Sequence, residues 1–162
     1  MNNTSSRSRG FGLIEIVIAI TIVGFLIFGL ITVARISFAG VSANTERLQA
    51  IFLLEETMEA VRIMRDNGWT TNIASLTLDT PYYLEFTSGT WGTTGTPALI
   101  DSTFTRTITL SSVERDANDD IIDSGGTIDT DTKRIIASVS WPSRGEIVTV
   151  SISGYITNIF AN

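Results

Sequence analysis

The chain lacks two residue types on which much protein chemistry depends. None of its 162 residues is cysteine or histidine. The missing cysteines exclude disulfides and catalytic thiols, and the missing histidines exclude serine–histidine triads. Zinc sites of the Cys–His type are excluded for both reasons. The sequence therefore predicts a protein that is not an enzyme, and a domain that is stabilised by core packing alone.

Basic residues are also scarce. The 11 Lys and Arg are outnumbered by 17 Asp and Glu, which gives a formal net charge of −6. Lysine occurs once, at Lys133. Proteins that bind nucleic acids neutralise phosphates with clustered Lys and Arg. We therefore expect no nucleic-acid partner for this chain.

The longest apolar run covers residues 13–34, and Glu15 is its only charged residue. About 20 apolar residues in a helix suffice to cross a hydrocarbon layer of roughly 30 Å, so this run predicts a transmembrane helix. Arg7 and Arg9 precede the run, and only Arg35 follows closely. The positive-inside tendency then places the N-terminus in the bacterial cytoplasm and the C-terminal part outside the cytoplasmic membrane, with a single pass.

A cleaved secretory signal peptide is the first alternative. Residues 41–43, Val-Ser-Ala, loosely match a small-residue cleavage site. However, the apolar core of a signal peptide usually has about 7–15 residues, and here it is longer and is followed by further helical sequence. The pattern favours a helix that is kept in the mature protein.

The start of the apolar run carries a more specific pattern. A short basic leader ends at Gly10, Phe11 follows, and Glu15 lies inside the apolar run. A carboxylate in a membrane segment costs about 3 kcal/mol on insertion scales, so it suggests a function. The alternative is a simple one-pass anchor whose glutamate reaches the membrane edge.

Residues 9–15, Arg-Gly-Phe-Gly-Leu-Ile-Glu, resemble the processing signature of type IV pilin-like prepilins. The resemblance implies that a prepilin peptidase cuts after Gly10 and methylates the new N-terminal residue, Phe11. It makes Glu15 the fifth mature residue, whose carboxylate pairs with the Phe11 ammonium of a neighbouring pilin or pseudopilin subunit and offsets the burial of both charges.

Two positions depart from the pattern of major pilins. Gly12 stands where threonine is common, and Thr32 stands where major pilins often carry a proline. With the small size and the absence of cysteine, Gly12 favours a minor pilin or a pseudopilin. Whether the filament is a type IV pilus or a secretion pseudopilus stays open at this point.

Beyond Arg35 the helical pattern continues but becomes amphipathic. Apolar residues recur at spacings of three and four, at Ile51, Leu54, Met58 and Val61. The pair Asn67–Gly68 is typical of a helix C-terminus. We therefore predict a leader at 1–10, one long helix at 11–67 with its transmembrane segment at 13–34, and a globular domain at 68–162.

The globular domain is predicted to be β-rich, and the fold class α+β. The long helix packs on a small antiparallel sheet of about four strands, with residues 87–103 as a loop. In the last strand the alternating residues Val148, Val150, Ile152 and Ile156 are expected to face the helix. Arg106 and Asp66 are interpreted as surface charges. The strands are predicted at 82–86, 104–113, 134–141 and 147–156.

An acidic loop at residues 116–131 is the candidate metal site. Asp116, Asn118 and Asp120 have the i, i+2, i+4 spacing that opens an EF-hand loop. The match ends there, since Ile121 stands where glycine is needed and Thr127 replaces the bidentate glutamate. A solvated hairpin tip is the favoured interpretation, so no cofactor is expected, with calcium as the alternative.

Two further functions stay open. One is a membrane-anchored extracytoplasmic binding module, which would be calcium-dependent if the acidic loop binds the ion. The other is an anchored hydrolase that uses carboxylates, although no pair of acids lies in a recognisable frame. The residue found at the mature N-terminus distinguishes them, because only a prepilin begins at Phe11.

Overall fold

The computed structural model describes residues 12–160. Gly10 and Phe11, at the predicted cleavage site, lie outside this range. One helix, α1, covers Leu13–Asp66. The chain divides into two compact units, with the boundary between Asn44 and Thr45. The first unit contains the apolar start of α1, and the second contains the rest of α1 and a β-sheet.

In the second unit α1 packs on the sheet through a narrow stripe of mostly small side chains. Thr57 is fully buried in this stripe, and its hydroxyl donates to the Leu53 carbonyl of the same helix. Ile51 is 40% exposed and lies outside the stripe, unlike its predicted position. Small residues allow the helix to lie close to the sheet, so the buried face is not the one with the largest apolar side chains. Its buried residues are Ala50, Leu54, Thr57, Ala60, Val61 and Met64.

The helix ends at Asp66, one residue before its predicted end at position 67. Gly68 has a φ of 149°, and a Cβ at this position would lie 2.7 Å from the Thr71 hydroxyl oxygen. The side-chain amide of Asn72 donates to the Met64 carbonyl at 3.0 Å, which satisfies one acceptor of the last turn. A short π-helical turn, Thr70–Ala74, then leads towards the sheet.

The sheet is antiparallel and has seven strands, more than the four predicted. Its main order is β2-β1-β4-β6-β7, and the two short strands β3 and β5 both pair with β4. The α+β class and the helix-on-sheet packing are confirmed. The strands are β1 Pro81–Thr87, β2 Thr90–Thr94, β3 Leu99–Ile100, β4 Phe104–Arg115, β5 Ile121–Ile122, β6 Thr127–Ser143 and β7 Glu146–Thr157.

Two of the additional strands, β2 and β3, lie in the segment that the sequence predicted as a loop. A two-residue turn joins β1 to β2, with positive φ at Ser88 (54°) and Gly89 (81°), as a tight hairpin requires. Trp91 then contacts Phe86 with 5.1 Å between ring centroids. Pairing with the adjacent strands β1 and β4 therefore makes strands of a Gly/Thr-rich segment that has little alternation of its own.

The core lies between α1 and one face of the sheet, which we call the helix face. Central strands β4 and β6 supply most of the buried side chains that the sheet contributes to this core, including Ile108, Leu110 and Val139. Strand β7 is covered less than predicted, since Ile156 is 5% exposed but Ile152 is 45% exposed. The helix lies against the end of β7, where a Cβ on Gly154 would come within 3.2 Å of the Met58 methyl carbon.

Arg106 is not the surface charge that the sequence predicted. Its side chain is 6% exposed, on the helix face between Phe104 and Ile108. One terminal nitrogen donates to the Glu56 carboxylate of α1 at 2.6 Å, and the guanidinium lies 5.0 Å from the centre of the Trp91 ring. The alternation of β4 already placed residue 106 on the apolar face, which was the signal for its burial.

We expect the Arg106–Glu56 pair to be needed as a pair. In a soluble fragment covering 45–162, Glu56→Gln leaves a buried guanidinium without a counter-charge and destabilises by about 1–3 kcal/mol. Adding Arg106→Met to that variant should restore most of the loss, because an apolar side chain of similar length needs no partner. Urea unfolding followed by circular dichroism measures both.

Glu59→Gln is the matched control, because it breaks a pair with Arg62 in which both side chains are about 60% exposed. It should change the free energy of unfolding by less than about 0.5 kcal/mol. If Glu56→Gln were equally mild, Arg106 would not depend on Glu56 for its burial.

Candidate processing and assembly site

Glu15 lies in the first turn of α1. The Gly12 carbonyl accepts the backbone N–H groups of Glu15 at 3.0 Å and Ile16 at 3.4 Å, so the helix begins immediately after the predicted cleavage site. A carboxylate in the first turn of a helix is stabilised by the positive end of the helix dipole. The position that resembles the assembly glutamate is therefore helical and close to the start of the predicted mature chain.

The apolar start of α1 has no cover. Every residue from 12 to 39 is exposed, with Phe25 at 74% and Phe28 at 71%. Two polar side chains in this segment bond to their own helix: the hydroxyls of Thr21 and Thr32 donate to carbonyls four residues earlier, at 2.8 and 2.9 Å. Such a surface suits lipid, because it leaves few polar groups in need of a partner.

Among residues 12–160, α1 is the one helix that is long and apolar enough to cross a membrane. Its apolar window is not buried inside the protein. The core helix of a soluble protein would be largely buried, so this segment needs lipid or another protein chain against it.

The acidic loop forms a closed turn. The Asp116 carboxylate accepts the backbone N–H groups of Asn118 at 2.8 Å and Asp120 at 3.0 Å. These two bonds lower the pKa of Asp116 from its usual value. The turn is closed further because the Asp116 N–H donates to the Asp120 carbonyl at 3.0 Å. One oxygen of the first candidate calcium ligand is thus already used by the backbone.

Arg115 holds the base of this loop. Its Nε donates to the Asp129 carboxylate at 2.7 Å, across the paired strands β4 and β6. One of its terminal nitrogens donates to the Asp119 carbonyl at 2.8 Å. The bond from Arg115, helped by one from Thr132, lowers the pKa of Asp129 to about 2. Sequence analysis missed this pair, whose members are 14 residues apart and meet only through strand pairing.

No group of three or more acidic side chains within the described range is arranged to hold a metal ion. Asp116, Asn118 and Asp120 are close in the chain, but Asp116 and Asn118 also bond to one another through their side chains at 3.4 Å. The solvated hairpin tip stays a prediction, with calcium as its alternative.

Comparison with known protein families identifies the N-terminal segment. Residues 5–31 match the family model of the prokaryotic N-terminal methylation motif. This range contains the predicted leader end, the cleavage site, Glu15 and the exposed apolar helix that has just been described. The chain carries the N-terminal motif of type IV pilin-like prepilins. The motif marks a pilin-like structural subunit rather than an enzyme, and it supports processing by a prepilin peptidase.

The match covers only the N-terminal part of the chain and does not extend to the sheet. No curated protein and no solved structure matches the chain. The motif also implies assembly with other pilins, and the apolar helix indicates a membrane anchor. The sheet domain must therefore be interpreted from its own geometry.

The lowered pKa of Asp129 predicts how acid affects the domain. Because the folded-state pKa is below the ordinary value of 3.8, ionised Asp129 stabilises the fold above about pH 4, and that stabilisation is lost as the pH falls towards 2. Asp129→Asn keeps an acceptor oxygen but loses the charge. In fragment 45–162 it should cost about 1 kcal/mol at pH 7 and flatten the stability curve between pH 4 and 2.

Urea unfolding midpoints at pH 7, 4 and 2 measure this effect. Asp123→Asn is the control, because it removes an exposed carboxylate of the same loop without touching Arg115. A variant at position 129 that kept the full acid dependence of the parent would show that the Arg115 pair does not contribute to it.

Proposed function

We propose that this chain is a minor pilin or pseudopilin, a structural subunit of a type IV pilus or a type II secretion-like filament. The prepilin peptidase cuts after Gly10 and methylates Phe11. Before assembly the subunit is anchored in the bacterial cytoplasmic membrane, with its N-terminus in the cytoplasm and its C-terminal domain outside. It then enters the filament.

One observation carries the proposal: the methylation motif leads directly into a helix whose residues 12–39 are all exposed. Such a surface needs one cover before assembly and another after it. Lipid provides the first and the helices of neighbouring subunits provide the second. The single-pass orientation is supported by Arg7 and Arg9 on the leader side of the apolar run.

Glu15 determines which position in the filament the subunit occupies. In lipid its carboxylate is costly, and in the filament it neutralises the Phe11 ammonium of a neighbouring subunit. Both charges lose their water together, so each favours the arrangement that satisfies the other. A subunit with this carboxylate therefore leaves the membrane for one particular neighbouring position.

The minor-subunit assignment is supported by two residues that differ from those common in major pilins. Gly12 and Thr32 differ from the residues common in major pilins, and cysteine is absent. The hydroxyl of Thr32 bonds to its own helix at the Phe28 carbonyl, and the helix continues unbroken through this position. Adhesion, DNA uptake and secretion filaments all use subunits of this kind, so the subunit class is what we propose.

Cleavage is expected to depend on Gly10 for steric reasons. A peptidase must bring the backbone at the scissile bond close to its catalytic groups, and glycine allows this without a side chain. Gly10→Val should leave the leader on the chain, with processing reduced at least tenfold. Mass spectrometry of the membrane fraction measures the fraction of intact chain.

Gly12→Ala is the matched control for cleavage. A Cβ at position 12 would meet only the Ile14 side chain, at 3.9 Å, so the variant should be cut normally. Normal processing of Gly10→Val would place the cleavage site elsewhere and remove the main support for this function.

Assembly is expected to depend on Glu15 and cleavage is not. Glu15→Leu should be processed at the parental rate and stay in the membrane. It should be reduced at least tenfold in sheared filaments, since breaking a buried ion pair typically costs about 3–5 kcal/mol. Thr21→Val is the control, because it removes a hydroxyl that bonds only within its helix. If Glu15→Leu entered filaments as well as the parent, the subunit-pairing role of this carboxylate would have to be abandoned.

A further inference from the structure

The sheet has two open edges in the described part of the chain. Strand β7 pairs with β6 on one side, and β2 pairs with β1 on one side; neither has a strand partner on its outer side within residues 12–160. Sheet edges are usually protected by charged residues, prolines, bulges or a covering segment. Whether these two edges are protected determines whether another strand can add to them.

Beyond Glu146, its first residue, the β7 edge carries none of the usual protection. Residues 147–157 include no charged residue and no proline. The pairing of β7 with β6 runs without a bulge from Ser143↔Glu146 to Thr132↔Thr157. A straight, uncharged edge of this length can accept main-chain hydrogen bonds from an added strand.

Two apolar side chains at the β7 edge are incompletely covered. On the helix face, Val148 is 37% exposed and Ile152 is 45% exposed. Beside Ile152 a groove separates β7 from α1, and Met58, Gly154 and Ile156 line its apolar part. An added strand would cover these side chains.

The β2 edge has a similar uncharged and apolar character. Strand β2, Thr-Trp-Gly-Thr-Thr, also contains no charge and no proline. On the helix face it presents Trp91, which is partly exposed, beside Phe86, which is 60% exposed. Each edge therefore carries incompletely covered apolar side chains on the same face of the sheet.

The topology gives the two edges one direction. Four successive antiparallel pairings lead from β2 to β7, so the two strands run the same way. When copies in one orientation stand side by side, β7 of one copy comes next to β2 of the following copy as a parallel pair, and both helix faces lie on the same side. Such a contact joins two different surfaces, so it repeats from copy to copy and suits an open filament.

We propose that β7 of one subunit pairs in parallel with β2 of the next copy of this chain, so that the filament joins neighbouring sheets edge to edge. The inference rests on the pseudopilin form of the proposed function, because it needs many copies of this chain at neighbouring positions in one filament. Strand β2 has only five residues, and parallel pairs are slightly weaker than antiparallel ones. The contact therefore forms where the apolar helices already hold the copies at a high effective concentration.

The cysteine-free chain allows a direct test. Thr90 of β2, and Thr149 and Ser151 of β7, all lie on the face opposite α1. Thr90→Cys is combined with either Thr149→Cys or Ser151→Cys in the full-length chain, expressed in the native host. Adjacent strands bring Cβ atoms about 4.5–5.5 Å apart, close enough for a disulfide after small shifts. Sheared filaments are oxidised and run on a non-reducing gel.

The double variants should give a ladder of dimers, trimers and larger species, with bonds mapped by mass spectrometry between position 90 and position 149 or 151. Each single variant should give dimers at most. Adding Ile152→Lys should reduce the ladder at least tenfold by placing a charge at the edge. Ile128→Lys is the control, since residue 128 is 60% exposed and lies outside both edge strands.

Three results would overturn the inference: filaments that contain the chain but show no ladder with either double variant, dimers joined only between equal positions, or cross-links to a different subunit. Each of these leaves the proposed function intact, because the chain is still cleaved after Gly10 and recovered from filaments. A chain that keeps its leader would instead overturn the proposed function, as the same mass spectra show.

Discussion

An apolar helix surface without cover is the constraint on which the rest of this protein depends. Residues 12–39 are exposed throughout, and this surface is too large for a soluble chain to leave in water. The hydroxyls of Thr21 and Thr32 bond to their own helix, so the same surface tolerates lipid and the apolar side chains of another helix. Glu15 is the exception, and in the proposed assembly its carboxylate distinguishes the two environments by whether a cation is present to pair with it.

The sheet domain is stabilised by contacts of its own. It buries the stripe of α1 that contains Thr57, and it adds polar contacts at two heights along the helix. Glu56 accepts from Arg106, and nearer the start of the unit Glu46 accepts the Trp141 indole N–H at 3.1 Å and the Ser143 hydroxyl at 3.2 Å. None of these contacts involves residues 12–39.

The sequence allowed good prediction where a local pattern determines structure. The end of α1 followed from Asn67–Gly68, because a positive φ there favours glycine, and the four long strands followed from their alternation. The short strands were missed because β2 and β5 have little alternation of their own and form by pairing with the neighbouring strands β1 and β4. Charge alone predicts an exposed Arg106, whereas its position in the alternation of β4 places it on the buried face.

The same distinction holds for the candidate site, where one feature could be predicted from a local pattern and another could not. The position of Glu15 in the first helical turn could be predicted, since it depends on a short motif and an apolar run. The bond between Arg115 and Asp129 could not, because no local rule brings residues 14 apart together before the strand pairing is known.

The stability of the sheet domain does not depend on what covers the apolar start of the helix. Because the contacts that stabilise the sheet domain lie within residues 45–160, the surface of residues 12–39 can exchange lipid for neighbouring subunits without loss of those contacts. The free energy of assembly therefore does not have to be drawn from the stability of the domain. Substitutions in loops and at sheet edges can then alter which neighbours a subunit accepts, while the N-terminal segment keeps the requirements of the peptidase, the membrane and the filament.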